Sequence, residues 1–290
     1  MSSYEDYDRI SESYDKTRLP VGADIIRGCL LRAGKPLRHL RILDAGCGTG
    51  NYAQAIIDKV GHITAIDLNP KMLRVAEEKL AAYKERGQLD TCRAGIDALP
   101  FGEQVFDAVM INQVLHHLGD TPESGYPRHR RVFMEVHRTL RPGGILLINT
   151  CSQEQLRHGF WYYSLIPEAA QNLMGRYMPL DQIQTMLHAC GFLVEEILVP
   201  LDGLLWGDTY LDPFGPLKRE WRDGDSVFAL VTDEELSRMA HQIKTMDRKG
   251  ELHAFVREQD LQRNRAGQVT FVFARRNWQG MKRRPTWVDP

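Results

Sequence analysis

The chain has 290 residues, 43% apolar and 26% charged, the make-up of a globular protein long enough to bury a large core. Its 37 Lys and Arg stand against 38 Asp and Glu, a net charge of −1, which argues against a surface given over as a whole to nucleic acid or anionic membrane. It has no run of about eighteen apolar residues that would span a membrane. Its five scattered cysteines, with no C-x-x-C pair, fit free thiols better than a disulfide framework or a zinc site, so no metal is expected.

In chain order, the polar and acidic start "MSSYEDYDRISESYDK" lacks the basic and apolar parts of a signal peptide, so a cytoplasmic location is expected. "HLRILDAG" reads as a buried strand leading into a glycine loop, and residues 51–60 as a helix. "HITAIDL" is a second strand. The next helix runs from Asn69 as N-cap, with Pro70 at its first position, to Gly87 as terminator. "DTCRAG" and "FDAVMIN" are the third and fourth strands. Val132, Phe133, Val136 and Leu140 mark a helix that "RPGG" stops, and "GILLINT" is the fifth strand. A helix over 179–190 ends at Gly191 before the sixth strand, "FLVEEILV", and "QVTFVFAR" supplies the last. Strands alternating with helices predict a mostly parallel sheet covered on both faces.

This gives one domain over 1–290. Its core spans about 36–200 and 268–276, with a helical segment at 1–35, an insertion at 201–267 and a tail at 277–290. Within the insertion, Thr232 and Glu235 form a capping-box pattern, and Leu236, Met239, Ala240, Ile243 and Met246 make an apolar stripe. The stripe predicts a helical cap over the carboxyl edge of the sheet, with Trp206 and Tyr210 as candidate acceptor contacts.

The stretch "LDAGCGTGNY" carries the chemistry. A dinucleotide site wants G-x-G-x-x-G, but here the spacing is G-x-G-x-G, with Asn51 in place of the last glycine. A P-loop would need G-K-S or G-K-T, and "GNY" is neither. Asp44 ahead of the loop disfavours a phosphate and suits an ammonium group. Asp67, ending the second strand, can accept from both hydroxyls of a ribose. A nucleoside that bears an amino-acid ammonium and no phosphate is S-adenosylmethionine.

At these residues the chain resembles the class I S-adenosylmethionine-dependent methyltransferases, in particular the type 11 small-molecule group. The likeness runs through "YDRISESYD", "ILDAGCGTGNYA", "ITAIDLNPKML", "ALPFGEQVFDAVMINQVLHHL" and "LRPGGILLIN", about residues 7–150. It implies a Rossmann-like α/β fold with a seven-stranded, mostly parallel sheet whose last strand is antiparallel. It also implies an enzyme that moves a methyl group by in-line displacement to a small-molecule O, N, S or C nucleophile. By position, Asp44, Gly46 and Gly48 would surround the methionine portion, Asp67 the ribose, and Leu68 and Met72 the adenine. Asn112 would face the methionyl end, and Tyr14 would close over the cofactor. Many relatives place an aspartate where this chain has Gly95, which leaves the adenine amino group to the Ile96 backbone and Asp97.

His116 and His117 follow the fourth strand. Adjacent helical positions diverge by about 100°, so one of the two, His116, is expected to face the cavity as a candidate base. "HGFWYYSLIP" reads first as packing of its connection, and the basic runs at 128–131 and 282–284 as a solvated helix face and a tail. The rival functions are an RNA or protein methyltransferase and a non-catalytic cofactor-binding module. The missing N-P-P-Y and the balanced charge weigh against nucleic acid, and homo-oligomerisation stays open.

Overall fold

The computed structural model describes residues 18–277, so Tyr14 and the basic tail at 282–284 lie outside the described residues. Seven strands form one sheet: β1 (Arg41–Ala45), β2 (His62–Asp67), β3 (Leu89–Arg93), β4 (Phe106–Asn112), β5 (Leu140–Thr150), β6 (Phe192–Leu198) and β7 (Thr270–Arg276). Their order is β3-β2-β1-β4-β5-β7-β6. β7 runs antiparallel to both of its neighbours and every other pair is parallel, as the resemblance implied.

Alternation along the strands builds two cores. Ile42, Ile63, Met110, Leu147 and Phe273 point to one face, beneath the helices Ala23–Leu30 and Asn51–Ile56 and the segments that follow β5 and β6. Leu43, Ile66, Val109, Ile111 and Ile148 point to the other, beneath Pro127–Thr139 and Leu180–Ala189. Each of these side chains is at most 1% exposed, so the sheet is buried on both faces. Among the described residues no helix is long and apolar enough to cross a membrane.

Several elements differ from the sequence expectation. The helix expected over 69–87 is broken at Leu80 into Pro70–Lys79 and Ala81–Glu85, because Leu80 turns fully into the core. "RPGG" lies within β5, where it makes a register shift against β4. A Cβ on Gly144 would come within 2.8 Å of the Arg141 carbonyl oxygen, so only glycine fits that shift.

The insertion holds a second long helix, Leu252–Ala266, besides Asp233–Arg248. The capping box is only half formed. Thr232 accepts from the Glu235 N–H at 3.1 Å, but the Glu235 carboxylate turns away to accept from the N–H groups of Glu168 (2.9 Å) and Ala169 (3.3 Å). It thereby caps the helix Pro167–Met174, whose own N-cap, Ile166, has no side-chain acceptor. Trp206 and Tyr210 are core residues. Tyr210 is fully buried and receives the Trp161 indole N–H on its carbonyl at 2.7 Å, while Trp206 stacks on Trp221. Neither lines the cleft beside the glycine loop or the recess behind it, so the structure does not place them as the expected acceptor contacts.

Candidate active site

The carboxyl ends of β1, β2 and β4 meet at the glycine loop. Gly46 and Cys47 N–H both donate to the Ile66 carbonyl at 2.8 Å, and Gly48 N–H donates to Asp67 Oδ2 at 2.9 Å. Gly46 has φ 79°, and a Cβ there would lie 2.6 Å from Val114, so this turn demands glycine. Above Gly48 (φ 53°) the space is open, which lets a ligand run along the backbone. The cleft over the loop encloses about 1210 Å³ of empty space, part of it open to solvent.

Its floor holds an anomaly. Asp44 is 1% exposed, and among the described residues neither carboxylate oxygen has a hydrogen-bond partner. Burial pushes its pKa up to about 7, with Asp67 adding to the rise and the nearby Asn112 amide tempering it. Asn112 Nδ2 is also buried without a partner at hydrogen-bonding geometry. Buried polar groups left unsatisfied cost about 1–3 kcal/mol each, more when charged. Two orphaned acceptors beside one orphaned donor, all facing the cleft, make a cradle for a group that is itself both cation and acceptor.

Asp67 accepts one backbone N–H on each oxygen, from Gly48 (2.9 Å) and Asn69 (2.8 Å), which leaves two of its roughly four acceptor positions for a ligand. Burial raises its pKa. Beyond it the cleft is walled by Leu68, which is 37% exposed, and by the buried Met72 and Ile96. Arg128 holds Asp97 there, through Nη2 at 3.0 Å and Nε at 3.1 Å. The other Asp97 oxygen lies 3.0 Å from where a Gly95 Cβ would stand. A side chain at 95 and the observed Asp97 compete for one space, so the departure at Gly95 is matched by Asp97 leaning over it. Arg128 is thus part of the wall, not solvated as the basic run suggested. His129 is fully buried against Asp120, at 2.9 Å, and Arg130 and Arg131 are the exposed pair.

Behind the cleft lies a smaller recess of about 400 Å³, which shares Arg18, Gln113, His117 and Leu205 with it. His116 and His117 sit on a 3-10 turn, Leu115–Leu118, and not on an α-helix, with their rings 3.9 Å apart. Both line the recess, and it is His117 that also reaches the larger cleft over the glycine loop, so the expected division of the pair does not hold. His116 stacks on Tyr177 at 4.3 Å, its Nε2 3.4 Å from the hydroxyl. Burial and the charges of Arg18 and Arg176 hold His117 down to about 3 and His116 well below its ordinary value, so both are neutral.

Several residues here were not singled out from the sequence. Gln113 carries φ 53°, a strained value for a non-glycine residue, and its amide donates to Asn149 Oδ1 at 3.0 Å. Arg18 is brought in by Asn51, which donates to its carbonyl at 2.9 Å, and by Leu19, whose N–H reaches the Leu205 carbonyl at 2.9 Å. Asp225 and Ser226 reach the recess from the insertion, and Tyr177 from the segment after β5, beside Tyr163 of "HGFWYYSLIP", which the sequence read first as packing. The positive φ after Asn112 and the long sequence separations leave no local signal. Among the described residues no cluster of three or more metal-binding side chains occurs.

Comparison with known proteins places the loop and its strands. Residues 43–148 match a family model described as a methyltransferase domain. An uncharacterized methyltransferase of Mycobacterium bovis is 31% identical over 143 residues, covering 49% of this chain and 66% of that protein. A malonyl-[acyl-carrier protein] O-methyltransferase of Erwinia pyrifoliae is 30% identical over 184 residues, 62% of this chain and 60% of its own. The chain therefore spans less than two thirds of either relative. The crystal structure of geranyl diphosphate C-methyltransferase from Streptomyces coelicolor A3(2), in complex with S-adenosyl-L-homocysteine, superposes with a TM-score of 0.53. At 12% identity, over 88% of this chain and 76% of that one, this is a likeness of fold alone.

Proposed function

We propose that the chain, whose residues 43–148 match a methyltransferase-domain family model, binds S-adenosylmethionine in the cleft above the glycine loop and transfers its methyl group to a small molecule. The observation that carries this reading is the orphaned pair on the cleft floor. Asp44 wants a buried cation and the Asn112 amide wants an acceptor, which an amino-acid ammonium and carboxylate would supply together. Asp67 would take the ribose hydroxyls. Leu68, Met72 and Ile96 would flank the adenine, with Asp97 placed to receive its amino group. Gly46 and Gly48 let the backbone run close beneath.

The cofactor, when bound, supplies an electrophilic methyl group on a sulfonium. The protein's own task is then to line up the acceptor and exclude water. Gln113 and His117 stand on the wall between cleft and recess, where an acceptor would meet that methyl group. Leu205, Asp225 and Ser226 support reading the insertion as a cap, since they line these spaces where Trp206 and Tyr210 do not. We place His116 as a positioning group for Tyr177. Its ring nitrogen addresses the tyrosine hydroxyl, and its suppressed basicity makes it a poor proton acceptor.

The test is calorimetric titration. S-adenosylmethionine and S-adenosylhomocysteine should bind, with NAD and ATP at least tenfold weaker; tight NAD binding would sink the reading. Asp67→Ala should weaken S-adenosylhomocysteine by about 1–3 kcal/mol through loss of charge-assisted hydrogen bonds. Unchanged affinity in a folded variant would show that the acid serves only the loop.

A further inference from the structure

Resting on that reading, we infer that the methyl acceptor is an uncharged molecule that enters the recess with a hydroxyl or carbonyl oxygen against Ser226. Two formal charges line the recess, Arg18 and Asp225, and they are set against each other. Asp225 Oδ1 lies 3.6 Å from the Arg18 guanidinium and accepts the Val227 N–H at 3.1 Å. Its Oδ2 accepts from the hydroxyls of Tyr162 and Tyr163, the latter at 3.2 Å. The guanidinium also lies over the Trp206 ring at 4.5 Å. Both charges are thus engaged within the protein, and as a pair they leave the recess without net charge. An acceptor that buried a carboxylate or an ammonium there would either break into that pair or leave its own charge unmatched, and both are unfavourable.

Other polar groups of the recess are neutral and engaged as well. The Gln113 amide spans Asn149, at 3.0 Å, and the Tyr177 hydroxyl, at 3.3 Å, and that hydroxyl also faces His116 Nε2. The Cys151 thiol donates to the Gln268 carbonyl at 3.2 Å. Arg176, the other cation near the histidines, lines an open surface hollow instead, where water and salt screen it. Ser226 differs from all of these. It opens the short turn Ser226–Ala229, which Asp225 caps, and it is only 7% exposed. Its hydroxyl makes no hydrogen bond among the described residues, yet it is not sealed off as the Asp44 carboxylate is. A hydroxyl donates and accepts, so it can meet either a hydroxyl or a carbonyl of the acceptor. Leu156, Phe160 and Leu205 suit an apolar body behind that oxygen.

Three near-isosteric probes distinguish the charge classes: benzyl alcohol, benzoate and benzylamine, titrated by ligand-observed NMR into the full chain saturated with S-adenosylhomocysteine. Benzyl alcohol is expected to bind about tenfold more tightly than either ion. Ser226→Ala should weaken benzyl alcohol by about three- to tenfold and leave toluene unchanged, a split that a merely structural loss would not give. Arg18→Gln takes the cation away from Asp225, so benzylamine should then gain about tenfold relative to benzyl alcohol. An ion that matches benzyl alcohol in the wild type overturns the inference, as does benzyl alcohol that fails to bind. So does benzyl alcohol affinity that survives Ser226→Ala, since the oxygen then docks elsewhere. No gain for benzylamine in a folded Arg18→Gln would show that the charge pair is not what keeps ions out, and the inference falls on that result too. If S-adenosylhomocysteine itself fails to bind, the underlying reading falls, and this inference with it.

Discussion

S-adenosylhomocysteine affinity is expected to rise about fifty-fold between pH 5 and pH 7. In the free protein Asp44 is held up to about 7, so it is mostly protonated across that interval and must ionise to meet an ammonium. Each pH unit below its pKa costs about 1.4 kcal/mol of binding. 5′-Methylthioadenosine, which lacks the amino-acid group, should bind with no such slope. Asp44→Asn should flatten the profile and cost about 2–4 kcal/mol at pH 7.5, as expected when a buried charge pair loses a partner.

The same substitution should stabilise the unliganded protein. The folded pKa of about 7 lies above the ordinary 3.8, so Asp44 lowers stability progressively as pH rises from about 4 to 7. Removing the acid should recover up to about 4 kcal/mol at pH 8, less whatever an unpartnered amide costs. A wild-type affinity that is flat from pH 5 to 7, or an Asn variant that binds normally, would sink the assignment of Asp44 to the ammonium.

Why Asp44 could be read from sequence while Arg18 could not is a matter of range. Asp44, Gly46, Gly48 and Asp67 are set by spacing along one strand-loop-helix unit and the strand after it, and such spacing survives into three dimensions. The strands were legible because, buried on both faces, they read as short continuous apolar runs bounded by turn residues. Gln113, Tyr177, Asp225 and Arg18 come to the recess from four separate parts of the chain. No local pattern marks the convergence. The histidine pair was misjudged because a 3-10 turn replaced the expected helix and both rings found the same recess. The helix Leu252–Ala266 leaves little signal in the sequence because its apolar residues are not gathered on one face as those of Asp233–Arg248 are. Besides the buried Leu252 and Val256, Arg263 ties it to the start of the insertion through the Leu201 carbonyl at 2.8 Å. Aromatic runs read alike whether they line a cavity or fill a core, so Trp206 and Tyr210 could not be told apart from Tyr163.

Trp161→Ala is expected to destabilise the whole protein by about 3–5 kcal/mol, the range for truncating a large buried aromatic, and to lower Tm by roughly 6–10 °C. Trp161 is 1% exposed at the seam between the segment after β5 and the insertion. Its indole N–H meets the Tyr210 carbonyl at 2.7 Å, and its backbone N–H meets the Tyr210 hydroxyl at 3.2 Å. That hydroxyl in turn donates to the Gly159 carbonyl at 3.1 Å, where Gln268 also donates at 3.0 Å. Glu235 ties the same two segments a second time, by capping Pro167–Met174. With both ties crossing the seam, insertion and sheet should melt as one unit, so near- and far-UV circular dichroism should give coincident transitions in wild type and variant. Tyr210→Phe, which removes only the hydroxyl, should cost about 1–3 kcal/mol. Neither change touches the cleft, so S-adenosylhomocysteine affinity at 25 °C should stay within about threefold of wild type. An early, separate transition in Trp161→Ala that leaves the sheet folded would show that the insertion is held by something other than this seam.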